Sequence, residues 1–589
     1  MRLQLRYLTL FICLVSKALC ADYYLSIHDK PKYNRTFDHF EYTNPDAPES
    51  GTLTLHAMNH YDSFNPFILK GVAPAGIERT YDTLMVAALD EPKTYYGLIA
   101  NDISVSDDSI TFSLNPNAQF HDRHPITPED VVYTFNLLKE KGRPVYASLY
   151  QDITHTTTHN NTVTFHLKTP HNQELPFLLA ELPVLPKHYW SNRAFDKDVI
   201  TPPLGSGPYQ ISDYQMGQNI TYTRVPHYWG KHLNVRKGFN NFNQIKYLYY
   251  LDPKLSLYQF LSHEYDYREE YNSKEWAIGY DKPKIQPHMI QKESLRHQEP
   301  QGMQAFVFNL RKPIFQNIAV REAISLAFDF NWVNKHLFYN QYVRNTSFFS
   351  NSILASDDIP LDEELKALIT YRNTLKTRLF HEPFSLSMTA GDGNNHAALV
   401  KANQLLDDAG LTMKNGHRLF EGKPMTFNIL LISPGFERVV VPFIQELKQL
   451  GIEATYRIVD QSQYIQRVQN FDYDMIVTTL MSTHNPGSEL ALYWHSKHKD
   501  QSGLPSYVGL NDPAIDSIIE RIMNTPSIEE KKPLVKALDR MLLWGHYVIP
   551  HWHLNYRRLA FWYPLTHTDY IPPYGHDVMT WWRQPGASK

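Results

Sequence analysis

Apolar residues follow two alternating rhythms along almost the whole chain. In "GTLTLHA" (51–57) they recur at every second position, and in "DSITFSLNPNAQF" (108–120) Ile110, Phe112 and Leu114 share one face before an Asn-Pro-Asn turn. Both segments predict half-buried strands. The next stretch, "FHDRHPITPEDVVYTFNLL" (120–138), changes period: Val131, Phe135 and Leu138 fall at i, i+4 and i+7. Thr127 suits an N-cap, Pro128 the first helical position, and Glu129 with Asp130 places negative charge at the helix start. A strand, a turn and a capped helix are therefore predicted. Further on, 318–328, 395–410 with Gly410 at its end, and 437–451 read as amphipathic helices, and "FDYDMIVTTL" (471–480) as a strand buried on at least one face. No heptad run, short repeat or low-complexity tract interrupts this alternation, which predicts an α/β fold.

The first twenty residues depart from both rhythms. "MRLQLRYLTLFICLVSKALC" carries Arg2 and Arg6, an apolar run, then small residues at Ala18 and Cys20. It predicts a cleavable secretory signal and an exported protein. The apolar run is about half the ~20 residues a membrane-spanning helix needs. Leu19 stands where bacterial lipid-attachment sites usually show a smaller residue, so no lipid anchor is expected. Both cysteines of the chain, Cys13 and Cys20, lie inside this segment. Cleavage after residue 20 removes disulfides, zinc–thiolate sites and cysteine nucleophiles as options. The net charge is −4 with histidine neutral, and losing the signal makes it more negative. No nucleic-acid partner is indicated. The 38 Tyr, 30 Phe and 10 Trp are abundant enough to fill several cores and still line a half-wet cleft.

Candidate chemistry is sparse. His121 and His124 in "HDRH" fall in the turn before the helix, and the helix adds no ligand at metal spacing, so the turn is read as structural. "HSKH" (495–498) and "PHWH" (550–553), with His551 and His553 on one strand face, are weaker metal candidates. There is no G-x-S-x-G and no H-E-x-x-H. "GHRLFEGK" (416–423) has five residues between its glycines and then Pro424, which predicts a hairpin rather than a phosphate loop. Glu269 and Glu270 are adjacent, so on a strand they point to opposite sides and do not form an acid/base pair. No metal or other cofactor and no catalysis are expected.

The stretch 98–138 ("SDD" turn, alternating strand, "FHD", Thr-capped helix with "EDVVYTF") resembles the family 5 oligopeptide, dipeptide and nickel solute-binding proteins of ABC importers. "GSGPY" (205–209), "VPHYWG" (225–230), "HEYDYREEY" (263–271), "AFVFNLRKPIFQNIAVREAISLAFD" (305–329) and "GLNDPAIDSII" (509–519) match it in order. Arg123 departs from the pattern, which usually has Gly there. Within the family the likeness is greatest to YejA-type peptide-binding proteins, through "YREEYNSKEWAIGYD", "YNQYVRNTSFFSNS", "STHNPGSELALYWHS" and "LDRMLLWGHYVIP".

The resemblance implies a two-lobe periplasmic binding protein of the Venus-flytrap kind, the large cluster C type with an extra subdomain. Its lobes would be 21–298, with the subdomain near 62–195, and 299–547, with 548–589 returning to the first. It implies capture of oligopeptides, microcin C-like peptide-nucleotides among them, in a Gram-negative periplasm. A monomer would hand its cargo to an inner-membrane ABC permease with its ATPase subunits. A nickel-like metal or metal-chelate receptor is the alternative, and an exported hydrolase the least favoured reading. Related peptide binders grip the ligand amine with an Asp where this chain has Ser482. Glu269 or Glu270 is therefore expected to supply the acid, with Arg268 for a ligand carboxylate or phosphate; a salt network among the three is the competing reading. Asn59, Tyr61 and Phe64 after the first strand, Tyr271, Phe348, His484, Asn485 and Tyr493 complete the expected ligand-binding set.

Overall fold

The computed structural model describes residues 21–28, 30–170, 172–280 and 289–585, so the signal assigned to 1–20 lies outside the described residues. Two mixed sheets organise them. A seven-stranded sheet runs in the order Ile290–Arg296, Tyr556–Trp562, Tyr267–Glu269, Thr52–Met58, Gln244–Tyr250, Asn219–Arg224, Tyr209–Gln215. A five-stranded sheet runs Glu453–Ile458, Thr426–Leu431, Met475–Leu480, Met303–Phe308, Val548–Pro550. The alternation seen at 51–57 and 471–480 thus forms strands in separate sheets.

Both faces of the five-stranded sheet are covered, as its apolar strands require. Met303, Ala305 and Val307 pack with Ile518, Leu538 and Leu542 of the helices Pro513–Asn524 and Ile528–Trp544. Phe306 and Phe308, one residue out of phase, pack instead with Val320, Ala402 and Val440 of three helices, Ile318–Leu326, His396–Asp408 and Glu437–Gln449. In the first lobe one core runs from Leu53 and Tyr267 of the large sheet, through Phe135 of the helix Pro128–Lys141, to Phe112 and Phe165 of a separate four-stranded antiparallel sheet. That small sheet, Ala100–Val105, Ser109–Leu114, Thr162–Leu167 and Ile153–His159, lies within the expected subdomain range. The segment 416–423 forms the expected hairpin, with Phe420 opposite Lys423.

Val548–Pro550 is hydrogen-bonded to Met303–Phe308, so the chain leaves the second sheet after Pro550. Two crossovers, 297–302 and 551–555, then join the sheets. Among the described residues no helix is long and apolar enough to cross a membrane.

The capped helix spans Pro128–Lys141, and its start is a full capping box: Thr127 accepts from the Asp130 N–H while Asp130 Oδ2 accepts from the Thr127 N–H at 2.9 Å. Just upstream, Arg123 adopts φ 70°, the left-handed conformation that costs an L side chain most. Arg123→Gly is accordingly expected to raise stability by about 0.5–1 kcal/mol, read as a higher urea midpoint; an unchanged or lower midpoint would show that the Arg123 side chain offsets its strain.

Candidate functional site

The lobes meet along a seam centred on the crossovers. Asn351, from the second lobe, donates to the carbonyls of His297 and Glu299, both at 3.0 Å. Arg557, on the return strand, bridges two carboxylates: Nη1 to Glu269 at 3.1 Å and Nη2 to Glu299 at 2.6 Å. The backbone N–H of Gln301 donates to the Ser350 carbonyl at 2.7 Å. Beyond the hinge, Gln341 donates to the Ser273 carbonyl at 2.7 Å.

The loop 481–487, between the strand Met475–Leu480 and the helix Ser488–Trp494, faces the first lobe from the other side. Its sequence explains the shape: Gly487 lets the chain adopt the helix-entry geometry, and Glu489 folds back to accept from the Gly487 N–H at 2.9 Å. Ser488 Oγ donates to Glu174 of the first lobe at 3.1 Å, and the His484 ring meets Tyr574 edge-on at 5.2 Å. Asn485 Oδ1 accepts from Lys531 Nζ at 2.9 Å. Beside it a cavity of about 310 Å³ separates Asn485 and Ile528 from Ile27, Asn172 and Phe177 of the first lobe. Ser482 Oγ is buried and has no hydrogen-bond partner among the described residues.

Burial governs the electrostatics here. It pushes His484, His553 and His576 down to about 4 and lowers Lys531, while raising the carboxyl of Glu489. The seam is therefore a place where charge is costly unless a partner arrives. His553 Nδ1 is hydrogen-bonded to Asn345 Oδ1 at 2.6 Å, and His576 Nε2 to the Tyr267 hydroxyl at 3.0 Å. Neither side chain is presented as a free ligand at that nitrogen.

The expected residues divide sharply. Glu269, Ser482, His484 and Asn485 lie along the seam. Tyr271 is 74% exposed, two residues beyond the strand's end at Glu269. Tyr493 is half-buried against Tyr507. Asn59 is exposed at φ 69°, its N–H on the Tyr250 carbonyl. Arg268 and Glu270 are engaged with each other rather than turned towards the seam. They share the opposite strand face from Glu269, and Arg268 Nε donates to Glu270 Oε2 at 2.9 Å. Arg268 Nη1 also donates to Ser256 Oγ and the Tyr265 hydroxyl, and the Tyr280 hydroxyl donates to Glu270 at 3.0 Å. Arg268 and Glu270 thus pair with each other, whereas Glu269 joins Arg557. Tyr61, Phe64 and Phe348 are buried core residues, Tyr61 donating to the Asn219 carbonyl at 2.7 Å and Phe348 meeting Trp494 edge-on.

Sequence reasoning missed Arg557, Glu299, Asn351, Glu174 and Tyr574. Only Arg557 left a signal: in "YRRLAFW" the two arginines fall on opposite faces of a strand. At "PHWH", His551 is enclosed by Phe306, Phe328, Phe436 and Trp552, and neither ring nitrogen has a hydrogen-bond partner among the described residues.

Comparison with known proteins places this geometry. Residues 94–502 match the family model for bacterial extracellular solute-binding proteins, family 5. YejA of Escherichia coli strain K12 is 36% identical, with 99% of each chain covered. A relative from Agrobacterium fabrum strain C58 named "Probable peptide-binding protein YejA" is 35% identical over 94% of this chain and 92% of its own. Among solved structures, the oligopeptide-binding protein AppA from Bacillus subtilis, in complex with a nonapeptide, aligns with a TM-score of 0.64. It covers 92% of this chain and 100% of that one at 17% identity, a likeness of fold.

Proposed function

This chain belongs to the family 5 bacterial extracellular solute-binding proteins, and from that premise we propose that it captures oligopeptides in the seam between its lobes and delivers them to an ABC importer from the periplasm. The observation that carries the reading is Ser482 Oγ, buried without a partner in the loop that faces the first lobe. A buried hydroxyl left unpaired costs about 1–3 kcal/mol, which a main-chain group of an extended ligand would recover. The peptide-binding name of the Agrobacterium relative and the nonapeptide held by the Bacillus structure support the same class of cargo.

With no carboxylate at Ser482, the ligand amine needs an acid from elsewhere. Glu269 is the candidate among the expected acids, because Glu270 is enclosed with Arg268 whereas Glu269 keeps 22% of its side chain exposed beside Arg557. Arg268, being engaged, offers nothing to a phosphate, which favours plain oligopeptides over peptide-nucleotides. Ligand touching both lobes would favour their approach over their separation.

Calorimetric titration with a pool of oligopeptides tests the reading. Saturable binding is expected, and Glu269→Gln is expected to weaken it about tenfold, the worth of ~1.4 kcal/mol in a charge-assisted hydrogen bond. The urea midpoint of that variant should stay close to the parent's. Equal affinity in the variant would remove Glu269 from the site, and no binding by the parent would refute the cargo.

A further inference from the structure

The turn ahead of the capped helix and the short helix Lys187–Trp190 bring three side chains to one point on the first lobe. His188 Nε2 lies 2.8 Å and His124 Nδ1 2.9 Å from Asp122 Oδ2. The three ligand atoms all lie within 4.8 Å of one another, and the side chains are exposed. The two imidazoles stack with centroids 4.2 Å apart and planes 30° apart, so both turn a ring edge to the same carboxylate oxygen. The other oxygen, Oδ1, accepts from the His124 backbone N–H at 3.2 Å, which orients the carboxylate.

Both halves of this arrangement are held from behind. In the turn, the Phe120 N–H donates to the His124 carbonyl, the Arg123 N–H to the Phe120 carbonyl and the His121 N–H to the Gly205 carbonyl, at 2.8–2.9 Å. The left-handed backbone of Arg123 is part of that closure. Opposite, the Lys187 N–H donates to Asp130 Oδ1 at 2.9 Å, so the capping box that starts one helix also seats the helix bearing His188. A strained residue in a well-braced turn is where a ligand clamp is often found.

We propose that Asp122, His124 and His188 form a surface binding site for a divalent first-row transition metal ion such as zinc. Two imidazoles and one carboxylate suit zinc, copper or nickel, whereas calcium and magnesium favour sites built from oxygen alone. Bonds of ~2.0 Å in tetrahedral geometry put ligand atoms about 3.3 Å apart. The two contacts to Asp122 would open by about 0.4–0.5 Å, and the stacked rings would turn so that their in-plane lone pairs converge on the ion, with water in the remaining position. Binding requires each imidazole to offer a lone pair, so it releases any proton held there. The site lies on the turn before the capped helix, on residues outside the seam, and is independent of peptide capture.

Isothermal titration of the full protein with zinc chloride near neutral pH, after chelator treatment and desalting, tests this. One site is expected, with affinity reduced at least tenfold by His188→Ala and by Asp122→Asn. His495→Ala, which alters a different cluster with Asp516 and Glu520 at 3.3 Å, is expected to leave it unchanged. Equal affinity in His188→Ala, or the absence of a one-to-one binding heat, would overturn the proposal. Should the variants melt earlier than the parent, anomalous diffraction from zinc-soaked crystals of the parent decides: a peak among the three residues supports the site, and peaks found only elsewhere overturn it.

Discussion

Stability should fall steeply as pH drops from 6.5 towards 4. Burial is the leading cause that pushes His56, His484, His546, His553 and His576 down to about 4, and it lowers His551 well below its ordinary value. An unfolded histidine titrates near 6.5. Between these values the unfolded chain holds protons that the folded chain excludes, so the stabilisation is complete above pH 6.5 and is lost on acidification. Each such group contributes a slope of about 1.4 kcal/mol per pH unit. Buried carboxyls work in the other direction: Asp82, Asp539, Glu364 and Glu489 are raised by burial and take up protons in the folded state first. The net expectation is an uptake of ~3–5 protons on unfolding near pH 5, enough over one to two units to exhaust a typical stability of about 5–15 kcal/mol. Urea midpoints measured from pH 7.5 to 4.5 would show it. His551→Phe should lower the uptake by about one proton without loss of neutral-pH stability, since His551 sits among aromatic rings with both nitrogens unpaired. A flat profile between pH 7 and 5 would contradict the account.

Asp539→Ala should be the most damaging substitution in the second lobe. This fully buried carboxylate, on the helix Ile528–Trp544, accepts from the Phe348 N–H at 2.7 Å, the Ser356 N–H at 2.9 Å and Ser356 Oγ at 2.8 Å. Alanine would strand the buried Phe348 N–H and the half-buried Ser356 N–H and hydroxyl, an expected loss of about 3–5 kcal/mol. The segment it anchors also carries Asn351, which holds the first crossover through the His297 and Glu299 carbonyls. Peptide affinity is therefore expected to fall along with stability, and Asp539→Asn, keeping one acceptor, should recover part of both. A loss under about 1 kcal/mol would mean that water replaces the carboxylate.

How far the sequence reaches can be judged from particular residues. The strand Thr52–Met58 and the cap at Thr127 were legible because they rest on spacing within a few residues. Period two also separated Glu269 from Glu270, but it could not say which face meets the hinge; that depends on Arg557, 288 positions away. Tyr61, Phe64 and Phe348 were placed near the cleft by their loops, and a loop position carries no information on side-chain direction. Aromatic rings beside a cleft turn inward where a core lies beneath them, and here Tyr61 finds the Asn219 carbonyl. The "HDRH" turn shows another limit: its spacing places Asp122 beside His124, but His188 arrives from a segment 66 residues beyond Asp122.

Native mass spectrometry of the protein purified gently from its own cells tests the central claim most directly. The account predicts a ladder of adducts that fragment into amino acids, reporting cargo class and length together. A single adduct of metal-chelate mass in the seam, abolished by chelators and unaffected by His188→Ala, would contradict it; so would protein that stays bare after mixing with oligopeptides.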